Sequence, residues 1–268
     1  MTSSILSNKK GLIGLIGIII FIVSSCIIPY FTDYNPDNID LEYSSIPPSL
    51  KHFLGTDKLG RDVLMRILFG LRISLLLAFS SSIVGLFIGL LVGSSCGLLK
   101  GKWDFIMMKV IDFFNSIPLI FFIIILSMIL NRDTSYLIIG LGLITWPNLT
   151  KIIRDKVFEI SSNEYIYAAK SLGETNWGIV FKHILPNLKG TIYLNFTISI
   201  PTIIMNETFL SFLGLGVRPP NSSIGNLLSH SINHISLHPY MAFAPIGALI
   251  SVLLFFHIFV EGLKDSLK

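Results

Sequence analysis

The sequence predicts an all-α polytopic membrane protein that crosses the bilayer six times. Only 13% of its 268 residues are charged, 52% are hydrophobic, and the mean hydropathy is +0.73. Soluble domains carry roughly 25% charged residues, so water is a poor solvent for this chain. Several apolar runs reach the roughly 20 residues that a helix needs to span the hydrocarbon core. Runs such as LIGLIGIIIFIV do not alternate with a period of two, which favours helices over a β-barrel.

The first apolar run follows Lys9 and Lys10 and covers residues 11–31. A cleaved signal peptide has a shorter apolar region that ends at a small-x-small site. We therefore interpret 1–10 as a cytoplasmic N-terminus and residues 11–268 as one transmembrane domain. Its predicted spans are 11–31, 73–99, 109–130, 135–153, 190–212 and 240–260. The predicted connections are the long segments 32–72, 154–189 and 213–239 and the tight turns 100–108 and 131–134.

The placement of Lys and Arg predicts that both termini are cytoplasmic (N-in/C-in). With this orientation about thirteen of the 20 basic residues lie inside and about seven outside, as the positive-inside rule requires. The outside bases concentrate in DKLGRDVLMRILFGLR, which contains Arg61, Asp62 and Arg66 opposite an apolar helical face. This stretch predicts an amphipathic helix in the membrane interface, or alternatively a solvated loop helix.

Residues 154–189 are too polar for lipid and are predicted to be cytoplasmic. Each charge at a bilayer centre costs about 2.5–3.5 kcal/mol on insertion scales, and this segment holds Glu164, Lys170, Glu174 and Lys182 among its charges. Helical spacing predicts two short amphipathic helices, with faces made by Tyr165, Ala168, Ala169 and Leu172 and by Trp177, Val180, Phe181 and Ile184. Gly173 would end the first helix and Pro186 the second. One face would rest on the spans and the other would meet a partner, whose backbone could approach the Ala168–Ala169 pair.

The pattern AA-x3-G-x9-HILP at residues 168–186 resembles the cytoplasmic EAA loop of ABC importer permeases. The stretches LGTDKLGRDVLMRILFGLRISL (54–75) and ETFLSFLGLGVRPPNSSIGNLL (207–228) resemble signatures of the dipeptide/oligopeptide/nickel subfamily, and MMKVIDFFNSIP (107–118) resembles oligopeptide permease "C" subunits. The resemblance covers nearly the whole chain and implies the type I importer permease fold. One departure is Tyr167, which occupies the position of the motif's Glu, with Glu164 three residues earlier.

The resemblance also implies roles, partners and a location. It places the chain in the bacterial inner membrane, with a second permease chain, two ATPase subunits and an extracytoplasmic substrate-binding protein. In that family the EAA loop forms a coupling helix that docks onto the ATPase subunit. The residues that would make this contact here are Glu164, Tyr165, Ala168, Ala169, Leu172, Gly173, Trp177 and Pro186. Candidate pathway or outer-face residues are Glu207, Arg61 and Asp62. The implied cargo is peptides, with nickel or glutathione as alternatives within the same family.

Other functional classes find little support in the sequence. The chain lacks a G-x-x-x-x-G-K-[ST] phosphate loop, so we expect ATP and Mg²⁺ on partner subunits and no cofactor here. A membrane-embedded enzyme would need paired catalytic groups, and only isolated candidates such as His257 occur. His230, His234 and His238 could align on a helix and bind a metal, but the surrounding Pro, Asn and Ser favour a solvated loop. The net charge of +4 is small and scattered, which argues against nucleic acid as a partner.

Overall fold

The computed structural model describes residues 8–31, 39–130, 134–218 and 221–267, and the regular elements in these ranges are helical. The α-helices are α1 (Lys9–Ile27), α2 (Val63–Leu99), α3 (Gly101–Ser116), α4 (Leu119–Ile129), α5 (Thr134–Ser161), α6 (Glu164–Ser171), α7 (Asn176–Ile179), α8 (Leu185–Phe212), α9 (Ile224–Ile232) and α10 (Tyr240–Ser266). A π-helical turn, Val180–Ile184, joins α7 to α8, and short 3-10 turns occupy Ile28–Tyr30 and Leu41–Tyr43. The chain is therefore all-helical across these ranges, as predicted.

Within the described ranges, α1, α2, α5 and α10 are long and apolar enough to cross a membrane, and α3 with α4 would add a fifth span if the bent pair is one. This makes the chain a multi-pass membrane protein. Helix α8 contains the predicted span 190–212 but is not among these helices. The count of six spans and the N-in/C-in orientation therefore stay predictions.

The predicted span 109–130 is wrong as one continuous helix. Helices α3 and α4 meet at an angle of 94°, with Ile117 and Pro118 extended between them (ψ 121° and 134°). Proline has no backbone N–H and disfavours helical geometry at the residue before it. The predicted turn at 100–108 is also wrong, because α3 already begins at Gly101.

Two other predicted boundaries move because amphipathic helices continue beyond the apolar runs. The predicted interface helix and the span 73–99 are one helix, α2, whose Val63, Ile67 and Leu71 are buried. Helix α5 continues past the predicted end of its span to Ser161. The turn predicted at 131–134 lies outside the described residues except for Thr134, as do residues 1–7 of the predicted N-terminal segment and residues 32–38 of the first long loop.

A stripe of glycines brings α2 into close contact with α5. A Cβ added at Gly93 would lie 2.8 Å from the carbonyl oxygen of Thr150, and one at Gly89 would lie 2.9 Å from Leu149 Cβ. The other two members of this four-residue repeat are equally crowded, namely Gly85 and Gly97. Small residues allow membrane helices to pack at short range, where lipid gives no hydrophobic drive. This packing makes α2 and α5 the centre of the bundle.

The first and last helices pack in the same way. A Cβ on Gly14 of α1 would lie 2.4 Å from the backbone nitrogen of Phe259 in α10. A Cβ on Gly262 would lie 2.2 Å from the backbone nitrogen of Gly11. Helix α1 therefore docks onto α10 through glycine, and both helices leave large apolar side chains on the outside of the bundle.

Candidate functional site

The elbow segment, residues 164–184, links α5 to α8 outside the apolar helices. Helix α6 ends with the Leu172 N–H donating to the Ala168 carbonyl at 3.0 Å. Gly173 follows at φ +83°, a left-handed conformation that glycine adopts without steric cost. The Thr175 hydroxyl then accepts the Gly178 N–H at 3.1 Å and caps α7. The predicted short helix before Gly173 and the turn at Gly173 are confirmed, whereas the second predicted helix begins as α7 and continues through the π-helical turn into α8.

The inner face of the elbow segment is anchored to the ends of α5 and α8. Ile166, Ile179 and Ile184 are fully buried and form one apolar cluster with Leu149, Ile153, Val157, Ala169 and Leu188. Burying an aliphatic side chain of this size contributes about 1.5–3 kcal/mol. The elbow segment is therefore fixed to the bundle.

The outer face of the elbow segment exposes large apolar side chains. The exposed fraction is 88% for Leu172, 51% for Trp177 and 61% for Phe181, and the rings of Trp177 and Phe181 stack with centroids 6.1 Å apart. Tyr165 is also 45% exposed, and Glu164 and Ala168 lie on the surface. A patch of exposed apolar groups of this kind marks an interaction surface.

Three details of the predicted elbow segment are wrong. Ala169 was expected beside Ala168 on the partner face, but it is 8% exposed and belongs to the inner cluster. The face predicted for the second helix is split, since Trp177 and Phe181 point outward whereas Val180 and Ile184 are buried. Pro186 does not end a helix but lies in the first turn of α8, directly after the π-helical turn.

An ion-pair cluster that the sequence analysis missed braces the elbow. One carboxylate oxygen of Glu174 lies 3.0 Å from Lys182 Nζ and the other 2.8 Å from His183 Nε2. The hydrogen bonds from Lys182 and His183 hold the pKa of Glu174 below its ordinary value. Lys182 and His183 follow Glu174 by eight and nine positions, beyond the i+3 and i+4 spacings that mark helical ion pairs, so the sequence pattern did not predict this contact.

Replacing Glu174 with Gln should loosen the elbow while leaving its buried face intact. The amide keeps the volume but loses the charge that both basic groups contact, so we expect amide hydrogen exchange across 173–184 to rise by about two- to fivefold. Hydrogen–deuterium exchange with mass spectrometry of the detergent-solubilised chain measures this. The control is Glu159→Gln, which removes an exposed pair with Lys156 on α5 and should leave 173–184 unchanged. Equal exchange in both variants would contradict the bracing role.

At the other end of the bundle, Asp57 organises the residues before α2. Its carboxylate accepts the Arg61 Nε–H at 2.8 Å, an Arg66 guanidinium N–H at 2.5 Å, and the backbone N–H groups of Leu59 and Arg61. Burial alone raises the pKa of Asp57, but the Arg61 N–H and the guanidinium groups of Arg66 and Arg61 outweigh it, and the pKa is lowered. The predicted residue Arg61 therefore lies in a folded ion-pair cluster.

Asp62 begins α2 as its N-cap. The carboxylate accepts the Met65 N–H at 3.0 Å, and its second oxygen lies 2.9 Å from His52 Nδ1. Carboxylates at an N-cap satisfy helix N–H groups that lack an intrahelical partner. Asp62 therefore has a local role in starting α2. The sequence predicted this span to start at residue 73, ten residues after its actual start at Val63.

Glu207 lies inside the bundle and is fully buried. Ser211 donates to one carboxylate oxygen at 2.6 Å and Ser74 of α2 lies 3.3 Å from the other. The Ser74 hydroxyl also accepts the Ile224 N–H at the start of α9. Glu207 therefore joins α2, α8 and α9.

A cavity of about 670 Å³ opens between the Asp57 cluster, α9 and the start of α10. His230 and His234 line it, but α9 ends at Ile232, so the three histidines at 230, 234 and 238 do not share one helix. Among the residues that the structure describes, no group of three or more His, Cys, Asp or Glu is placed to hold a metal ion. The aligned metal site considered from the sequence is therefore not formed there.

Glycine-packed apolar helices and an anchored elbow segment with an exposed apolar face are the features of a multi-pass membrane protein that the described residues show. Residues 85–268 match the family model described as "binding-protein-dependent transport system inner membrane component". Residues 3–48 match the N-terminal transmembrane domain of oligopeptide transport permease C. The chain belongs to this family of ABC importer permeases, which confirms the resemblance found in the sequence.

Two relatives match along nearly the whole of this chain, and a solved structure shares its fold. The chain is 34% identical to the oligopeptide transport system permease protein OppC of Bacillus subtilis, over 97% of this chain and 86% of the relative. It is 33% identical to the OppC protein of Escherichia coli K12, over 97% and 87% of the two chains. A chain from inward-facing MetNI, a methionine ABC transporter, matches with a TM-score of 0.61 and 20% identity, over 76% of this chain and 97% of the other. The protein is thus a transport component of an importer, and the prediction that it is not itself the ATPase is confirmed.

Proposed function

We propose that the chain forms half of the pathway by which an ATP-driven importer moves peptides across the bacterial inner membrane. The observation that carries the coupling role is the elbow segment, which is anchored on one face and exposes Leu172, Trp177 and Phe181 on the other. An apolar face in water is stabilised when a partner covers it. The names of the full-length relatives support peptides as the cargo.

The working assembly in this proposal contains a second, homologous permease chain and two ATPase subunits that bind ATP and Mg²⁺. An extracytoplasmic protein delivers the substrate. The N-in/C-in orientation places the elbow segment in the cytoplasm with the ATPases, and the 670 Å³ cavity on the side of the delivery protein. Closure of the ATPases would move the elbow segment and rock the helices between outward- and inward-facing states.

Nickel and glutathione are the alternative cargoes within the same family. A nickel pathway would be supported by thiolate or imidazole ligands that lie close together in the fold. The described residues contain no group of three or more His, Cys, Asp or Glu placed to hold a metal ion. Glutathione is itself a small peptide and differs mainly in its γ-linkage and its charge. A membrane-embedded enzyme is the alternative from another class, and it would require paired catalytic groups within the bundle.

Reconstitution of the complete complex in proteoliposomes tests the proposal. With its substrate-binding protein outside and ATP inside, uptake of radiolabelled tri-alanine should be saturable, and it should stop when ATP is replaced by a non-hydrolysable analogue. Parallel assays with Ni²⁺ and with glutathione provide the matched comparison. ATP-driven uptake of Ni²⁺ without uptake of any peptide would replace the proposed cargo, and absence of all ATP-driven uptake would refute the proposal.

A further inference from the structure

The 670 Å³ cavity, here called the basic cavity, has an excess of positive charge. Among its described lining residues, Lys58, Arg61, Arg66 and Arg218 are cations and Asp57 is an anion. Four positive charges minus one negative charge leave a net charge of +3, with histidine neutral. A concave, partly enclosed surface concentrates this potential and attracts anions.

Two of these cations have no counter-ion among the described residues. In the part of the chain that the structure describes, no ion pair involves the side chain of Lys58 or Arg218, and both residues are exposed. Asp57 cannot serve them as well, since its carboxylate already accepts four hydrogen bonds. Lys58 and Arg218 are therefore the cavity groups that can donate to a carboxylate from outside without breaking an existing ion pair.

The electrostatics of the cavity wall agree with this excess of positive charge. Burial lowers the pKa of His230, and the cations of Arg66 and Arg61 lower it further. His230 thus experiences the positive potential of the cavity that it lines.

We propose that the basic cavity binds the C-terminal carboxylate of a peptide, with Lys58 and Arg218 as its direct partners. The peptide cargo rests on the proposed function. The volume lies in the range of about 300–1,000 Å³ that small-molecule sites occupy. Leu59, Val217 and Met241 provide apolar walls for a side chain, and Asn221 and Asn233 provide amide groups for the peptide backbone. Every linear peptide with a free C-terminus bears this carboxylate, so such a site selects peptides without selecting their sequence.

The test uses the complete permease–ATPase complex in nanodiscs, without the substrate-binding protein. Equilibrium dialysis compares radiolabelled tri-alanine with tri-alanine amide, which differs only in the lost carboxylate. The free acid should bind about tenfold or more tightly than the amide, as expected for loss of a charge-assisted hydrogen bond. A Lys58→Gln/Arg218→Gln double variant should reduce this preference to about twofold or less.

The matched control is Lys51→Gln, which removes an exposed cation that lies over the Tyr43 ring and outside the basic cavity. It should leave the preference unchanged. Equal binding of acid and amide, no measurable peptide binding, or a double variant that keeps the full preference for the acid would each overturn the inference. Because ATP-driven uptake is measured separately in proteoliposomes, the proposed function could stand when this site fails.

Discussion

A Leu172→Asp variant should bind the ATPase subunit about 30-fold more weakly or worse than the natural chain, and transport should fall with it. Leu172 is 88% exposed at the tip of the elbow segment, so the substitution does not disturb the packed bundle. In the proposed complex this side chain is buried against the ATPase. Burying a leucine contributes about 1.5–3 kcal/mol, and a carboxylate without a partner adds a desolvation cost. Co-purification and titration of the ATPase onto the nanodisc-embedded permease pair measure the change.

Leu50 provides the matched control for this prediction. It is 94% exposed, is also outside any helix, and lies in the segment before α2. Leu50→Asp therefore introduces the same charge on a surface that the proposal does not assign to the ATPase. Retained ATPase binding in Leu172→Asp, or an equal loss in Leu50→Asp, would contradict docking through the elbow segment.

A Gly93→Leu variant should be severely destabilised, because α2 and α5 cannot keep their spacing. Even the first added carbon would lie 2.8 Å from the Thr150 carbonyl oxygen and 2.9 Å from Ile153 Cβ. Overpacking in a dense interior typically costs about 1–3 kcal/mol, and occasionally more. Thermal unfolding of the purified chain in detergent should show a lowered midpoint, together with a reduced yield of monodisperse protein.

Gly247 on α10 is the control for the Gly93 experiment. A Cβ at Gly247 meets no atom within 4 Å, and the residue also lies within a helix that is long and apolar enough to cross the membrane. Gly247→Leu should therefore leave the unfolding midpoint nearly unchanged. A midpoint that falls equally in both variants would show that helix glycines act here through something other than the α2–α5 contact.

The elbow segment shows what periodicity can and cannot predict. The i, i+3, i+4, i+7 spacing and Gly173 correctly predicted α6 and the turn that ends it, because both features are local, whereas the second predicted helix continues into α8. The same spacing could not decide which face packs inward, and Ala169 was placed on the wrong face. Ile166 is not part of this pattern, yet it is buried against residues of α5 and α8. Burial depends on where neighbouring helices lie, and a single helical pattern does not contain that information.

The boundaries of the spans failed for a related reason. Apolar runs locate where a helix can contact lipid, whereas α2, α5 and α8 extend past these runs through amphipathic turns that pack on other helices. The residue before a proline disfavours the helical conformation, so Pro118 was a local signal for the break between α3 and α4. The apolar run continues after Pro118, however, and hydropathy alone therefore predicted one span across it. The cluster at Asp57 explains the bases that weaken the positive-inside count, since Arg61 and Arg66 are paired with a carboxylate.

Helix α8 connects the elbow segment directly to the chain that lines the basic cavity. It starts at the π-helical turn of the elbow segment, passes Glu207, and ends just before the strip of chain that lines the basic cavity. Its 28 residues span about 42 Å at 1.5 Å per residue. In the proposed complex, a displacement that the ATPase imposes on the elbow segment would therefore reach the residues that line the basic cavity through one helix, whose interior proline, Pro201, is the position at which that helix can bend.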